Sequence, residues 1–270
     1  MNGPQLLEEN VGRLVTGAGA FFPGVRAVFR GHDLHATLND LDLLGIYLFG
    51  ITGRRFTQQQ MKVMHAMCTF TSYPDARLWN NRVAALAGTA RSTGTLGISA
   101  ALAVSEAQVY GRGIDLRAIE FLIRTKDKVE AGADLNELVR NEIKQKRGIA
   151  GYGRPIVSAD ERVAPMLKLA REQGLDNGPH LKLAFDVEKI LLAGRWRMHI
   201  NYAAVTAALC ADFGMSAREY FFASLPAFLS GMPPCYMDAA AKPERLLFPL
   251  PCNMLSYEGV ARRRWKPMGK

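Results

Sequence analysis

Residues 199–231 read "HINYAAVTAALCADFGMSAREYFFASLPAFLSG", and they decide the fold class. The first half is apolar around the whole helical circumference. A helix of that kind has no solvent face and belongs in an interior. The second half opens with Ser216 and Glu219, three apart and ahead of an aromatic run. That spacing is a capping box: the serine side chain takes an N–H of the first turn and the glutamate reaches back. Residues 216–231 are therefore predicted to form another helix.

Working outward, the remaining periodic segments are also helical. "ARLWNNRVAALAG" places Leu78, Val83, Leu86 and Ala87 at helical spacing and ends on Gly88. "TLGISAALAVSEAQVYG" (95–111) is rich in Gly, Ala and Ser, which suits close packing between helices. "IDLRAIEFLIRTKDKVEAG" (114–132) is amphipathic and ends in lysines and Gly132, the polarity a helix end favours. "ADLNELVRNEIKQKRG" (133–148) follows it. "SADERVAPMLKLAREQG" (158–174) carries a Ser158–Glu161 capping pattern, and Pro165 within it allows a start one turn later. "GPHLKLAFDVEKILLAG" (178–194) puts Leu181, Ala184, Val187 and Leu191 on one face. Met61, Met64 and Met67 also fall at helical spacing and read as core. The best strand candidate is "RAVFRGHDL", near residue 30. The sum is an all-α chain of roughly ten helices.

Composition agrees. Apolar residues make up 49% of the 270 and charged residues 22%, an ordinary globular balance with ample material for a core. No run of 18 or more apolar residues predicts a membrane span. The start, "MNGPQLLEENVGRL", carries acids early and lacks a long apolar run, so it is not expected to act as a signal peptide. Cys68, Cys210, Cys235 and Cys252 lie far apart, without metal or redox spacing, and fit buried thiols in a reducing cytoplasm. His32 and His35 are spaced for chelation, but nothing nearby completes a site, and a turn or surface role is expected. The net charge is +9, and Arg262, Arg263, Arg264, Lys266 and Lys270 of the tail supply five of those charges. The body has no basic stripe with interleaved aromatics, so nucleic acid is not the expected partner. A mildly basic body suits a phosphorylated or carboxylate ligand.

"GIAGYGRP" (148–155) follows "KQKR", Lys144 to Arg147. One reading is a helix end with solvated lysines and a flexible loop. The other is an anion cradle, because glycine lets backbone N–H groups come close to a phosphate.

Four segments in order resemble the citrate synthase family, and the chain is also similar to the citryl-CoA lyase domain of ATP-citrate lyase. "LAGTARSTGTLGISAALAVSEAQVYGRGID" (86–115) resembles the family's glycine- and alanine-rich helix running into its "HGGAN" loop. "GYGRPIVSADERV" (151–163) resembles "GFGHRVY…DPRA". The opening stretch resembles "NVDF" with two helices after it, and "AKPERLLFP" (241–249) resembles a late basic segment. The resemblance implies a citrate-synthase-like homodimer of helical subunits. Each would have a large domain, residues 1–113 plus 213–270, interrupted by a small one, residues 114–212, with the site in the cleft between them. It implies acyl-CoA chemistry: an aspartate takes the α-proton of a thioester, histidines polarise the carbonyls, and arginines clamp carboxylates. Coenzyme A and a carboxylate-bearing small molecule are the implied ligands, with no metal.

Carried over position by position, the "HGGAN" histidine falls on Tyr110, the "GFGH" histidine on Arg154 and the "NVDF" aspartate on Asn201. An earlier histidine falls near Asp75. The "DPRA" arginine matches Arg162, a second arginine falls on Phe228, and a third matches Arg245. Arg147, with Lys144 and Lys146, resembles the residues that contact coenzyme A, beside Gly151 and Gly153. Asparagine cannot remove a proton, and arginine stays charged, so neither repeats the family's chemistry. The implied activity is a lyase or synthase of Claisen or retro-Claisen type with a rebuilt site. The alternative is an inactive relative that binds a CoA ester or a protein partner. Tyr110 and Asn201 also fit ordinary packing. His199 is the one histidine near these segments, and a lone histidine on a buried helix is more often a core residue. Asp75 is a carboxylate that could act from the other side.

Overall fold

The computed structural model describes residues 3–154, 159–246, 252–261 and 263. A short helix, α1 (Gly3–Glu9), precedes an antiparallel ribbon of β1 (Gly19–Phe22), β2 (Arg26–Phe29) and β3 (His32–Asp33). In that ribbon Val28 pairs with Ala20 on one side and Asp33 on the other. The segment read as the strand candidate is β2 with β3. Every other regular element longer than one turn is helical: α2 (Leu43–Thr52), α3 (Gln58–Thr71), α4 (Trp79–Thr89), α5 (Gly94–Val104), α6 (Arg112–Glu130), α7 (Leu135–Lys146), α8 (Val163–Glu172), α9 (Pro179–Ala193), α10 (Tyr202–Asp212), α11 (Ala217–Ala223), α12 (Leu225–Leu229) and α13 (Met232–Ala241). The chain is all-α, as its periodicity predicts.

Helix α10 is the hub. Ala204 through Ala211 are all buried, so the helix has no solvent face along that length. Its alanines let α6 and α9 close on it. Helix α6 contributes Ala118, Ile119 and Leu122, and α9 contributes Ala184, Val187 and Leu191, each set at helical spacing. Leu122, Leu191 and Leu209 have no exposed surface, which contributes about 1.5–3 kcal/mol apiece relative to exposure. Helices α2, α3, α7, α8 and α11 complete this core, and Met64 and Met67 lie in it. A second, smaller cluster joins α4, α5 and α13 around Ala84, Ala101 and Met232. Here Gly88 lies against the Tyr236 carbonyl, so α4 and α13 meet closer than any side chain allows.

The capping box at Ser216 forms: the serine hydroxyl accepts from Glu219 N–H at 3.3 Å, and the Glu219 carboxylate accepts from Ser216 N–H at 2.8 Å. The single helix expected to follow it is two, α11 and α12. The chain turns at Ser224, whose hydroxyl takes the Phe221 carbonyl at 3.0 Å, and Pro226 has no N–H to continue the ladder. Helix α8 starts at Val163, one turn later than the Ser158 pattern. Ser158 lies outside the described residues, as do Arg262, Arg264, Lys266 and Lys270 of the basic tail and the Cys252 side chain. Among the described residues no helix is long and apolar enough to cross a membrane.

Candidate active site

The glycine run pairs with the approach to α10. Gly153 N–H donates to the His199 carbonyl at 2.7 Å, and Asn201 N–H donates to the Gly151 carbonyl at 2.9 Å, flanking a bridge between Tyr152 and Ile200. Gly151 has φ +92°, and a Cβ there would lie 2.6 Å from Ala204 Cβ. Only glycine accepts both that backbone and that approach. Tyr152 is anchored beneath, its hydroxyl donating to the Ala184 carbonyl at 2.8 Å.

Two of the free N–H groups in the first turn of α10 are taken by side chains. Asn201 Oδ1 accepts from Ala203 N–H at 3.0 Å, and Asp160 Oδ2 accepts from Tyr202 N–H at 3.0 Å. Asn201 Nδ2 donates to the Gly153 carbonyl at 2.9 Å. Asp160 also holds Arg162 bidentately at 2.9 and 2.8 Å. Burial pushes the Asp160 carboxyl up, but the Arg162 bonds, its charge and the Tyr202 N–H together hold it below the usual aspartate range. The Arg162 guanidinium stacks 4.5 Å from the centroid of the Tyr202 ring. Arg154 pairs with Glu161 at 2.5 Å, and Glu161 accepts from the Tyr73 hydroxyl at 2.9 Å.

These parts border a cavity of about 580 Å³. Met64, Met67, Cys68 and Thr71 of α3 form one wall; Ile114 and Asp115 of α6, with Tyr110 and Gly111 before them, form another. Residues 149–154, Asp160, Arg162 and the start of α10 form a third, and Tyr220, Ala227 and Phe228 close the side of α11 and α12. Burial pushes the Cys68 thiol up to about 11, so it lines the wall as a neutral group.

Of the residues singled out by sequence, Tyr110, Gly151, Gly153, Arg154, Arg162, Asn201 and Phe228 line this cavity together. The others lie elsewhere. Asp75 is bound by Arg77 at 3.0 and 2.7 Å, and those bonds hold its carboxyl down to about 2. His199 lends its carbonyl to the seam, while its ring, half exposed, sits 3.3 Å from Glu188. Lys144, Lys146 and Arg147 end α7 on the solvent side; Lys146 pairs with Glu142 at 2.8 Å, and Arg147 forms the left-handed cap. Arg245 is exposed and meets the end of α4 through its backbone N–H, 3.4 Å from the Thr89 carbonyl.

Two cavity residues escaped the sequence reading. Asp115 is 9% exposed and Asn80 is 7% exposed, and neither side chain hydrogen-bonds to a described residue. Burial pushes the Asp115 carboxyl up to about 7, against the opposing pull of Arg162 and Arg112. The available signal was an acid on the apolar stripe of α6, one turn from Arg112 and one from Ala118. Among the described residues no cluster of His, Cys, Asp or Glu is arranged to hold a metal.

No family model and no curated protein sequence matches the chain. Solved structures do. Citryl-CoA lyase from Hydrogenobacter thermophilus aligns with a TM-score of 0.80 at 19% identity, over 94% of this chain and 97% of that one. ATP citrate lyase from Methanothrix soehngenii, solved with citrate and coenzyme A, aligns at 0.75 and 17% identity, over 97% of this chain and 45% of that one. Citrate synthase from Thermoplasma acidophilum, solved with carboxymethyl coenzyme A and oxaloacetate, aligns at 0.64 and 18% identity, over 84% and 59%. The polypeptide therefore has the citrate-synthase fold, at the length of a citryl-CoA lyase.

Proposed function

We propose that this chain binds a coenzyme A thioester and a carboxylate-bearing small molecule, and makes or breaks the carbon–carbon bond beside the thioester. The observation that carries the reading is a convergence. Four separated segments (the Tyr110 turn, the Gly151–Arg154 run, the Arg162 corner and Asn201) meet at one cavity, in a fold shared with proteins solved with coenzyme A, citrate and oxaloacetate. Arg162, fixed by Asp160 and stacked on Tyr202, is a preorganised cation for a carboxylate. Arg154, held by the exposed Glu161 at 2.5 Å and 3.9 Å from the buried Asp160, keeps part of its guanidinium exposed and is a second cation that an incoming anion can reach. Phe228 stands where the resemblance places an arginine, which favours an acid with fewer charges than citrate. Lys144, Lys146 and Arg147 would meet the phosphates of coenzyme A outside the cavity. The division into residues 1–113 plus 213–270 and residues 114–212 belongs to the same reading, and it is supported by cavity walls drawn from both sets. A homodimer in the cytoplasm is the setting the resemblance implies. Titration calorimetry with coenzyme A and acetyl-CoA tests the proposal: dissociation constants below about 1 mM are expected, and no heat at millimolar ligand overturns it.

One observation favours a second reading, that of an inactive binder. Both ends of the Asn201 amide are engaged by backbone, so this residue acts as a helix cap. That reading predicts thioester binding with no exchange of the α-protons into solvent.

A further inference from the structure

Asp115 is the ionisable group in the cavity that nothing in the fold explains. It stands on the first turn of α6, on the buried face with Arg112, Ala118 and Ile119. Its neighbours in charge are engaged: Asp160 is locked to Arg162, Glu161 is bound by Arg154 and Tyr73, and Arg112 pairs with Glu106 at 3.0 Å and with the Phe221 carbonyl at 2.7 Å. The Asp115 carboxylate has no such partner among the described residues. A nearly buried carboxyl that has no partner and only the cavity to face costs a fold stability, and its place on the cavity wall points to a task there.

The charged and titratable groups facing it are Arg112 on its own helix, Arg162 from the corner before α8, the Cys210 thiol of α10 and the Tyr220 phenol of α11. Burial holds the last two neutral, so the two arginines are the charges Asp115 feels. The carboxyl titrates at about 7 in that setting, which lets it act as base or acid at neutral pH.

We propose that Asp115 is the catalytic base of the carbon–carbon bond chemistry assigned to this cavity, in place of the aspartate that Asn201 replaces. The proposal rests on the reading that the cavity holds a thioester. In the synthetic direction the Asp115 carboxylate takes the α-proton. The α C–H bond breaks, its electron pair delocalises onto the thioester carbonyl oxygen as an enolate, and the proton forms the O–H of Asp115. In the cleavage direction the substrate hydroxyl gives its proton to solvent and becomes a carbonyl, the carbon–carbon bond breaks with its electron pair passing into the thioester enolate, and the Asp115 O–H then returns its proton to the α-carbon.

The test is α-proton exchange of acetyl-CoA and propionyl-CoA in deuterium oxide, followed by NMR, with binding measured in parallel by calorimetry. Expected is deuterium incorporation that rises with pH through an inflection near 7. Asp115→Asn should lower its rate at least about 100-fold, the usual contribution of a positioned base, while leaving thioester affinity within about threefold. Asp115→Glu should keep part of the rate and shift the inflection. An unchanged rate in Asp115→Asn overturns the assignment, as does a wild-type chain that binds both thioesters without exchanging their α-protons. No binding at all overturns the reading of the cavity, and the assignment with it.

Discussion

Two walls of the same cavity differ in how their polar groups are treated. Along the seam of residues 149–154, 160–162 and 199–203, every described side chain that carries charge or an amide has a partner: Asn201 with Gly153 and Ala203, Asp160 with Arg162 and Tyr202, Arg154 with Glu161. On the walls formed by α4 and α6, Asp115 and Asn80 have none among the described residues, and Arg112, behind the α6 wall, keeps its Nε without an acceptor. A satisfied network is a frame: it fixes geometry and resists change. A polar group that faces a cavity without a partner leaves free energy that a ligand or a proton can release. The contrast separates the wall that is fixed from the wall that is left open to a ligand or a proton.

The largest expected effect strikes the second wall. Burial raises the Asp115 carboxyl in the folded state, so folding favours its neutral form. The penalty is absent below the ordinary aspartate range, grows as pH rises and is complete above about 7. Asp115→Asn is therefore expected to match wild type near pH 4 and to exceed it at pH 8–9 by up to about 4 kcal/mol in urea unfolding. A variant no more stable than wild type at high pH would return Asp115 to the frame. Next in size, Asp160→Ala strands Arg162 and the Tyr202 N–H and should cost about 3 kcal/mol. Because the Asp160 carboxyl is held low, its contribution is present at neutral pH and lost as pH falls through the acid range, so Asp160→Ala and wild type converge in acid. A small loss would mean that the seam is no frame. Gly151→Ala forces a side chain onto φ +92° and into Ala204, at about 2 kcal/mol measured in the same assay. The smallest, Ser216→Ala, removes one capping partner at the exposed end of α11, touching neither wall, and should cost about 1 kcal/mol with no change in thioester affinity.

Much of this arrangement was readable from the chain alone, and for one kind of reason. Helices α4 and α6 to α9 announce themselves by periodicity, α5 and α10 by long runs of small or apolar residues, and the start of α11 by Ser216 and Glu219. Helix α2, "LLGIYLFGIT", is short and carries two glycines, Gly45 and Gly50, that read as breaks, so it went unread. Helix α13 opens on Met232-Pro-Pro, which reads as a turn although proline is tolerated in a first helical turn. In the cavity the motif series carried Tyr110, Arg154, Arg162, Asn201 and Phe228 to one place. Asp115 and Asn80 were missed because their significance lies in what does not contact them, and absence of a partner is a property of three dimensions. Asp75 and His199 were drawn in by chemistry and position along the chain, and Arg77 and Glu188 engage them elsewhere.

The seam has a mechanical consequence. Two backbone hydrogen bonds and one from Asn201 weld the glycine run to the head of α10, and α10 is the most deeply enclosed helix of the chain. The glycine run is thus no hinge, whatever its composition suggests, and it travels with the hub. Any movement that opens the cavity is expected away from that weld, at the half-exposed Tyr110 turn that leads into α6 or where the chain changes helix at Ser224.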